Sequence, residues 1–161
     1  MAPVAEEAGV RMGIHPDDPP VPVLAGVPRC IFGNFDGYRR AMEIQLSQCR
    51  HLPVLRNLAG RRQATHRQDP EEMIRYFGAQ KIWKIHFRNV SAPLPHFVET
   101  FMDNGYYDMY KIMKALRDVN YDGIVILDHT PSLVGGGNAQ TAYGFAYMRA
   151  LLNRANAEAK A

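Results

Sequence analysis

Four ionisable side chains follow short apolar runs that have the composition of β-strands. His15 and His86 each end or nearly end such a run, and the pair Asp128 and His129 directly follows the apolar residues 123–127. Two imidazoles and a carboxylate form a usable site for a divalent metal ion. A carboxylate ligand favours Mn²⁺ or another hard to borderline ion, so these residues indicate a metal centre.

Each of these residues also has a purely structural explanation. A single histidine at the end of a strand, such as His15 or His86, is more often part of the packing than a ligand. Asp128 and His129 are harder to explain in this way, because burying two ionisable groups is costly without a partner or a metal. Three separate strands deliver a His or an Asp to one end of the predicted sheet, and this joint pattern favours a metal site.

Two residues are candidates for proton transfer. Neighbouring residues of a strand face opposite sides, so Asp128 and His129 can divide the work, one holding the metal and the other acting as a general acid or base. Tyr143 opens the last predicted helix and could supply a second proton-transfer group. For Tyr143 alone, packing of that helix is the favoured explanation.

The elements that must position these side chains alternate between strand and helix. Asp69 is a good N-cap, because Pro70 and two acidic residues follow it, and this helix should stop at Gly78. The run 123–127 suits a strand that is buried on both faces of a parallel sheet. The patterns predict strands at 10–15, 81–90 and 123–127, and helices at 34–44, 70–77, 107–118 and 138–159. This alternation predicts βα units whose site lies at the carboxyl ends of the strands, in a closed barrel or in an open sheet.

Composition and charge exclude several classes of partner. The chain has 161 residues, 47% of them hydrophobic and 22% charged, as in an ordinary globular domain. It has no apolar run of membrane-spanning length, residues 1–13 lack the pattern of a secretory signal, and two cysteines make no disulfide framework. We therefore expect a cytoplasmic protein that binds no membrane.

Residues 45–68 stand apart from the rest of the chain. They hold five Arg and no acidic residue, whereas the remaining chain carries 14 basic and 16 acidic residues. Nucleic-acid binders usually interleave basic residues with aromatic ones. This segment has no aromatic residue and is interrupted by Pro53, so we expect no nucleic-acid partner.

At these residues the chain resembles the mannonate dehydratases, lyases of the hexuronate pathway with a xylose-isomerase-like (β/α)8 barrel. The resemblance covers most of 4–44 and 69–150. It is carried by four stretches in this order: VRMGIHPDDPP at 10–20, IHFRNV at 85–90, DMY at 108–110, and Asp128-His129.

The resemblance implies a metal centre and a proton-transfer pair. It implies that His15, His86 and Asp128 bind Mn²⁺, with Fe²⁺ or Co²⁺ as alternatives. It also implies that His129 and a tyrosine, matched by Tyr143, carry protons.

The resemblance further implies a sugar-acid substrate that lies near Arg88, Asn89 and Asp17. The reaction would be the loss of water from D-mannonate to give 2-dehydro-3-deoxy-D-gluconate. Two other interpretations stay open: a non-catalytic α/β domain of the open doubly wound kind, and a sugar isomerase or epimerase of the same barrel group.

The chain departs from the family's pattern in length. A full barrel needs about 250 residues, and only three clear βα units, or four if one is missing, can be counted here. We therefore expect residues 1–161 to form one partial domain, the C-terminal half of a barrel, with impaired activity. Exposed sheet edges should favour self-association into a homo-oligomer.

The second departure is the basic segment. The family has a strand there that ends in a cysteine ligand, and residues 45–68 show neither a strand pattern nor such a ligand. Codons can be chosen so that reading one nucleotide later gives an apolar strand with a cysteine at the position of Val54. We hypothesise compensating frame changes near positions 45 and 68, which resequencing of the DNA would test.

Overall fold

The computed structural model describes residues 2–10, 13, 15–16, 18–29, 32–46, 54–56 and 69–160, and gives the backbone alone for 2, 45–46 and 54–56. Five α-helices are described: α1 (Ala2–Glu7), α2 (Phe35–Leu46), α3 (Pro70–Phe77), α4 (Met109–Asp118) and α5 (Gly137–Glu158). Seven strands are described: β1 (Val23–Leu24), β2 (Val27–Pro28), β3 (Val54–Arg56), β4 (Lys84–Phe87), β5 (Asn89–Val90), β6 (Glu99–Thr100) and β7 (Ile124–Leu127). A 3-10 turn, Ala79–Lys81, lies between α3 and β4.

The main sheet is parallel and has β4 at its centre, in the order β3-β4-β7. His86 of β4 is level with Arg56 on one side and with Ile126 on the other. Helix α3 connects β3 to β4, and α4 lies between β4 and β7, so the predicted βα units and parallel sheet are confirmed. The carboxyl ends of these strands lie at one edge of the sheet, where an α/β site is expected.

Several helix boundaries follow from local chemistry. Helix α3 begins at Pro70 and ends before Gly78, as predicted, and the Glu72 carboxylate accepts a hydrogen bond from the Asp69 backbone N–H at 3.3 Å. Gly78 has a φ of 66°, a conformation that disfavours residues with a side chain. The helices predicted at 34–44, 107–118 and 138–159 are also present, with ends that differ by one or two residues.

The strand predicted at 81–90 is wrong in its extent. The chain leaves the parallel sheet at Arg88, and Asn89–Val90 pairs instead in antiparallel fashion with Glu99–Thr100. Apolar composition does not distinguish one strand from two short ones with different partners. This change of partner puts Arg88 between two sheets, where its side chain is buried.

The prediction that 123–127 is buried on both faces is also wrong. Ile124 is 64% exposed, and the other residues of β7 are partly exposed. Among the described residues β7 is hydrogen-bonded to β4 alone, so it is an edge strand of the described sheet. The strand predicted at 10–15 lies largely outside the described residues.

The basic segment contributes a strand that its sequence pattern does not indicate. The backbone of Val54–Arg56 pairs in parallel with β4. Backbone N–H and C=O groups pair whatever the side chains are, so a short strand needs no alternating pattern. The rest of 47–68 lies outside the described residues, and the frame-change hypothesis stays a prediction.

The core lies between the sheet and helices α3, α4 and α5. Apolar residues recur on one face of each helix and meet the buried side chains of β4. The buried apolar residues of these elements are Met73, Ile74, Phe77, Ile85, Phe87, Met109, Tyr110, Ile112, Met113, Ala115, Leu116, Met148, Leu151 and Ala155. In the described part of the chain, every helix is too short or too polar to span a membrane.

Candidate active site

Three side chains predicted as metal ligands meet at the carboxyl end of β4. The His86 ring lies edge-on to the His15 ring, with 5.3 Å between their centroids. The His86 Nδ1 atom is 3.5 Å from Asp128 Oδ1, and both side chains are largely buried. Strand β4 provides His86 and the end of β7 provides Asp128, so the parallel pairing of these strands brings the two together.

The donor types fit a divalent ion of borderline hardness. Imidazole nitrogen and carboxylate oxygen are both accepted by Mn²⁺, Fe²⁺ and Co²⁺. The three side chains are neighbours in pairs, with His86 in the middle. Within the residues that the structure describes, no three His, Cys, Asp or Glu side chains already have the arrangement of a metal site. The donor chemistry therefore fits, and the metal itself stays a prediction.

The tautomer of His15 is compatible with a ligand role. Its Nδ1 atom lies 2.7 Å from the carbonyl oxygen of Pro16, and a carbonyl only accepts hydrogen bonds. The proton of the neutral ring therefore lies on Nδ1, which leaves the lone pair on Nε2. A second hydrogen bond of this kind orients many metal-binding histidines.

His129 is held by a glutamate that the sequence pattern did not indicate. Its Nδ1 atom is 2.5 Å from Glu99 Oε1, and its Nε2 atom is 3.8 Å from Asp128 Oδ1. His129 is about half exposed, so its ring borders both the buried carboxylate of Asp128 and the solvent. This position suits a group that exchanges protons with a bound molecule.

Arg88 is the buried cation of the site. Its guanidinium contacts both carboxylate oxygens of Asp18, at 2.9 and 3.2 Å, and Glu99 Oε1 at 2.8 Å. Only 1% of its side chain is exposed, and two carboxylates already meet its charge. Arg88 therefore joins the segment around Asp18 to β6, and direct contact with a substrate stays a prediction.

Asn89 has a scaffolding position. It is 1% exposed, donates hydrogen bonds to the carbonyl oxygens of Met102 and Tyr107, and accepts from the Val90 and Tyr107 N–H groups. A Cβ atom at Gly105 would lie 2.0 Å from its side chain, so glycine is required there. The substrate contact of Asn89 stays a prediction, and Asp17 lies outside the described residues.

Tyr143 lies near the start of α5 and is partly exposed. Its ring packs edge-on against Phe101, with 5.4 Å between centroids. A hydrogen bond to Asp103, followed by burial, raises the pKa of Tyr143 to about 12. Its hydroxyl therefore keeps its proton at neutral pH and is a donor, which is the state that a general acid requires.

Replacing Asp103 with Asn should lower the pKa of Tyr143 from about 12 towards its ordinary value of 10. Ionisation of the phenol beside a carboxylate is unfavourable, and the variant removes that negative charge. The raised pKa contributes stability that is complete below pH 10 and is lost as the pH rises through about 12. The phenolate absorbance, taken as the difference from Tyr143→Phe in each background, measures the shift.

Asp122→Asn is the matched control for this titration. It removes a carboxylate near Tyr121, whose pKa is also about 12, chiefly because of burial. The Tyr143 difference signal should not move in this variant. An unchanged Tyr143 midpoint in Asp103→Asn would rule out Asp103 as the main cause.

Sequence reasoning missed three acidic residues of this site: Asp18, Glu99 and Asp103. Asp18 belongs to the HPDDPP stretch that also contains His15. The sequence does not show that Asp18 pairs with Arg88. Glu99 and Asp103 follow no pattern that links them to His129 or Tyr143. The antiparallel pairing of β6 with β5 positions Glu99, Asp103 follows β6 in the chain, and no local signal predicts that pairing.

Comparison with known proteins identifies one family. A family profile described as D-mannonate dehydratase (UxuA) matches residues 1–157. The mannonate dehydratase of Thermotoga neapolitana is 36% identical over 92% of this chain and 41% of its own length. That of Enterococcus faecalis is 34% identical over 97% of this chain and 44% of its own length.

A solved structure agrees with these matches. The crystal structure of mannonate dehydratase from Streptococcus suis serotype 2 superposes with a TM-score of 0.78 at 29% identity. The match covers 98% of this chain and 46% of that one. The present chain thus spans less than half the length of these relatives, and over nearly its whole length it shares their α/β fold.

Proposed function

Because the chain belongs to the D-mannonate dehydratase family, we propose that it carries a catalytic part of a hydro-lyase that removes water from D-mannonate. The product would be 2-dehydro-3-deoxy-D-gluconate. The observation that carries this proposal is the meeting of His86 with His15 and with Asp128, beside the half-exposed ring of His129. Dehydration next to a carboxylate needs stabilised negative charge and two proton-transfer groups, and this cluster offers residues for both.

We assign the metal to His15, His86 and Asp128, with Mn²⁺ as the expected ion and Fe²⁺ or Co²⁺ as alternatives. When bound, such an ion would stabilise the negative charge that develops as the C2 proton of the substrate leaves. The donor types support this assignment, as does the proton on His15 Nδ1, which leaves Nε2 as the ligand atom.

His129 and Tyr143 divide the proton transfers. In this assignment His129 Nε2 takes the C2 proton, and the Tyr143 hydroxyl gives its proton to the departing C3 oxygen. The C2–H and C3–O bonds break, a C2–C3 double bond forms, and water leaves. The resulting enol becomes the 2-keto acid. The protonated state of Tyr143 at neutral pH suits the acid role.

The same family also suggests the fold of the whole domain, the class of ligand and the location of the protein. We propose that residues 1–161 are one partial domain, the C-terminal part of a (β/α)8 barrel, because the parallel β3-α3-β4-α4-β7 sequence is a run of consecutive βα units. The ligand would be a small sugar acid and the location the cytoplasm, since two cysteines offer no disulfide framework. Within the described residues β7 pairs with β4 alone, and this edge position supports the expected self-association.

Incubation of the purified chain with D-mannonate and Mn²⁺ tests the proposal. We expect slow formation of a 2-keto acid, and a loss of at least about 100-fold in His129→Ala, because a general base contributes 10²–10⁴-fold. Glu43→Ala, an exposed variant on α2, should keep the rate. Failure to dehydrate mannonate, conversion of keto-sugars instead, or an unchanged rate in His129→Ala would contradict the proposal.

A further inference from the structure

We propose that Glu99 is a positioning residue that fixes the ring orientation and the tautomer of His129. The role of His129 in proton transfer rests on the function proposed above, whereas the contact itself does not. Glu99 Oε1 lies 2.5 Å from His129 Nδ1, closer than two hydrogen-bond acceptors approach each other without a proton between them.

The donors and acceptors around this contact determine where the proton lies. Arg88 Nη1 is 3.0 Å from His129 Nδ1 and 2.8 Å from Glu99 Oε1. A guanidinium has only donors, whereas an ionised carboxylate has only acceptors. If Nδ1 carried a lone pair, it would face the carboxylate oxygen at 2.5 Å without a proton between them. The proton therefore lies on Nδ1, and both donors point to the same oxygen of Glu99.

Glu99 is itself held in place from two sides. Its backbone is part of β6, where it pairs with Val90 of β5. Its carboxylate is bound to Arg88, which is buried and fixed in turn by both oxygens of Asp18. A carboxylate on a paired strand and bound to a buried cation is a rigid support, and such support is what precise placement of a catalytic ring requires.

The consequence for the chemistry concerns Nε2. With the proton of the neutral ring on Nδ1, the lone pair lies on Nε2 and is ready to accept a proton. The same hydrogen bond limits rotation of the ring about its two side-chain torsions. Glu99 thus selects the tautomer that the proposed reaction uses, and its effect passes through His129.

Nitrogen NMR of the histidine rings tests this directly and needs no substrate. At an alkaline pH at which the ring is neutral, His129 should show a protonated Nδ1 and an unprotonated Nε2. In Glu99→Gln, whose side-chain amide offers either a donor or an acceptor, the two tautomers should mix and the two shifts should converge. A protonated Nε2 in the wild-type chain would overturn the proposal.

Two controls separate positioning from general disturbance. Glu43→Gln removes the charge of an exposed glutamate that is paired with Arg39 and Arg40, and it should leave the His129 shifts unchanged. His96, an exposed histidine, serves as an internal reference in every spectrum. If Glu99→Gln melts at a much lower temperature, Glu99→Asp keeps the carboxylate and should retain a protonated Nδ1. Tautomer mixing in Glu99→Asp as great as in Glu99→Gln would argue against the proposal.

A kinetic measurement separates this inference from the proposed function. With D-mannonate, Glu99→Gln should lower kcat about 10- to 100-fold and change KM little, because the lost effect is on proton transfer and not on binding. Absence of turnover in the wild-type chain would count against the proposed function and leave the NMR result standing. Equal kcat in the wild type and Glu99→Gln would overturn the positioning role even if the tautomer is as expected.

Discussion

Replacing His86 with alanine is expected to abolish stoichiometric Mn²⁺ binding, with a loss of affinity of at least about 100-fold. Loss of a group that merely orients a ligand costs 10- to 100-fold in affinity or activity, and loss of a ligand should cost more. His86 is the middle member of the proposed trio, since it contacts the His15 ring and lies 3.5 Å from Asp128. Its removal therefore leaves His15 and Asp128 without the donor that lies between them.

The signal of free Mn²⁺ in electron paramagnetic resonance measures this binding during a titration of the chain with metal. His96→Ala is the matched control, because it removes an exposed imidazole that lies outside the site. It should bind Mn²⁺ as the wild type does. Equal affinity in His86→Ala and His96→Ala, or no binding by the wild-type chain, would contradict the assignment of the metal.

Sequence alone could predict the parts of this site that depend on local patterns. An apolar run that ends in a polar residue marks a strand end, and for this reason the sequence predicts that His86 and Asp128 lie at strand ends. The parallel order of β4 and β7 then brings their ends together, as βα connections require. Helix α3 was predictable for a similar reason, since its first and last turns are specified by Pro70 and Gly78.

The supporting residues could not be predicted, because their partners are far away in the sequence. Arg88 pairs with Asp18 across 70 positions and with Glu99 across 11. The apolar pattern of 81–90 also does not show that the chain leaves the parallel sheet at Arg88. That change depends on the pairing of β5 with β6. An acidic residue carries no sign of which cation or imidazole it will meet, so charge partners require the fold.

For Arg88, the family resemblance and the structure indicate different roles. The resemblance pointed to Arg88 as a residue near the substrate, whereas the structure surrounds its guanidinium with Asp18 and Glu99. A buried cation between two carboxylates can hold a site together without contacting the reacting molecule. Its effect on function would then pass through Glu99 to His129.

Arg88→Met is therefore expected to lower the free energy of unfolding by about 3 kcal/mol. Breaking a buried ion pair by removing one partner costs 3–5 kcal/mol, because the other charge is left without compensation. The lower end applies here, since the side chains of Asp18 and Glu99 are 19% and 37% exposed and water can reach them. Urea denaturation followed by circular dichroism measures the change.

Arg39→Met is the matched control for this measurement. Arg39 also contacts two acidic residues, Asp36 and Glu43, but its side chain is 42% exposed. Pairs exposed to this degree contribute about 0.2–1 kcal/mol, so the control should lose less than about 1 kcal/mol. Adding Asp18→Asn to Arg88→Met should recover part of the loss, because it removes the uncompensated charge. If the two arginine variants lose the same free energy, burial of Arg88 between carboxylates does not hold these segments together, and Glu99 needs another support.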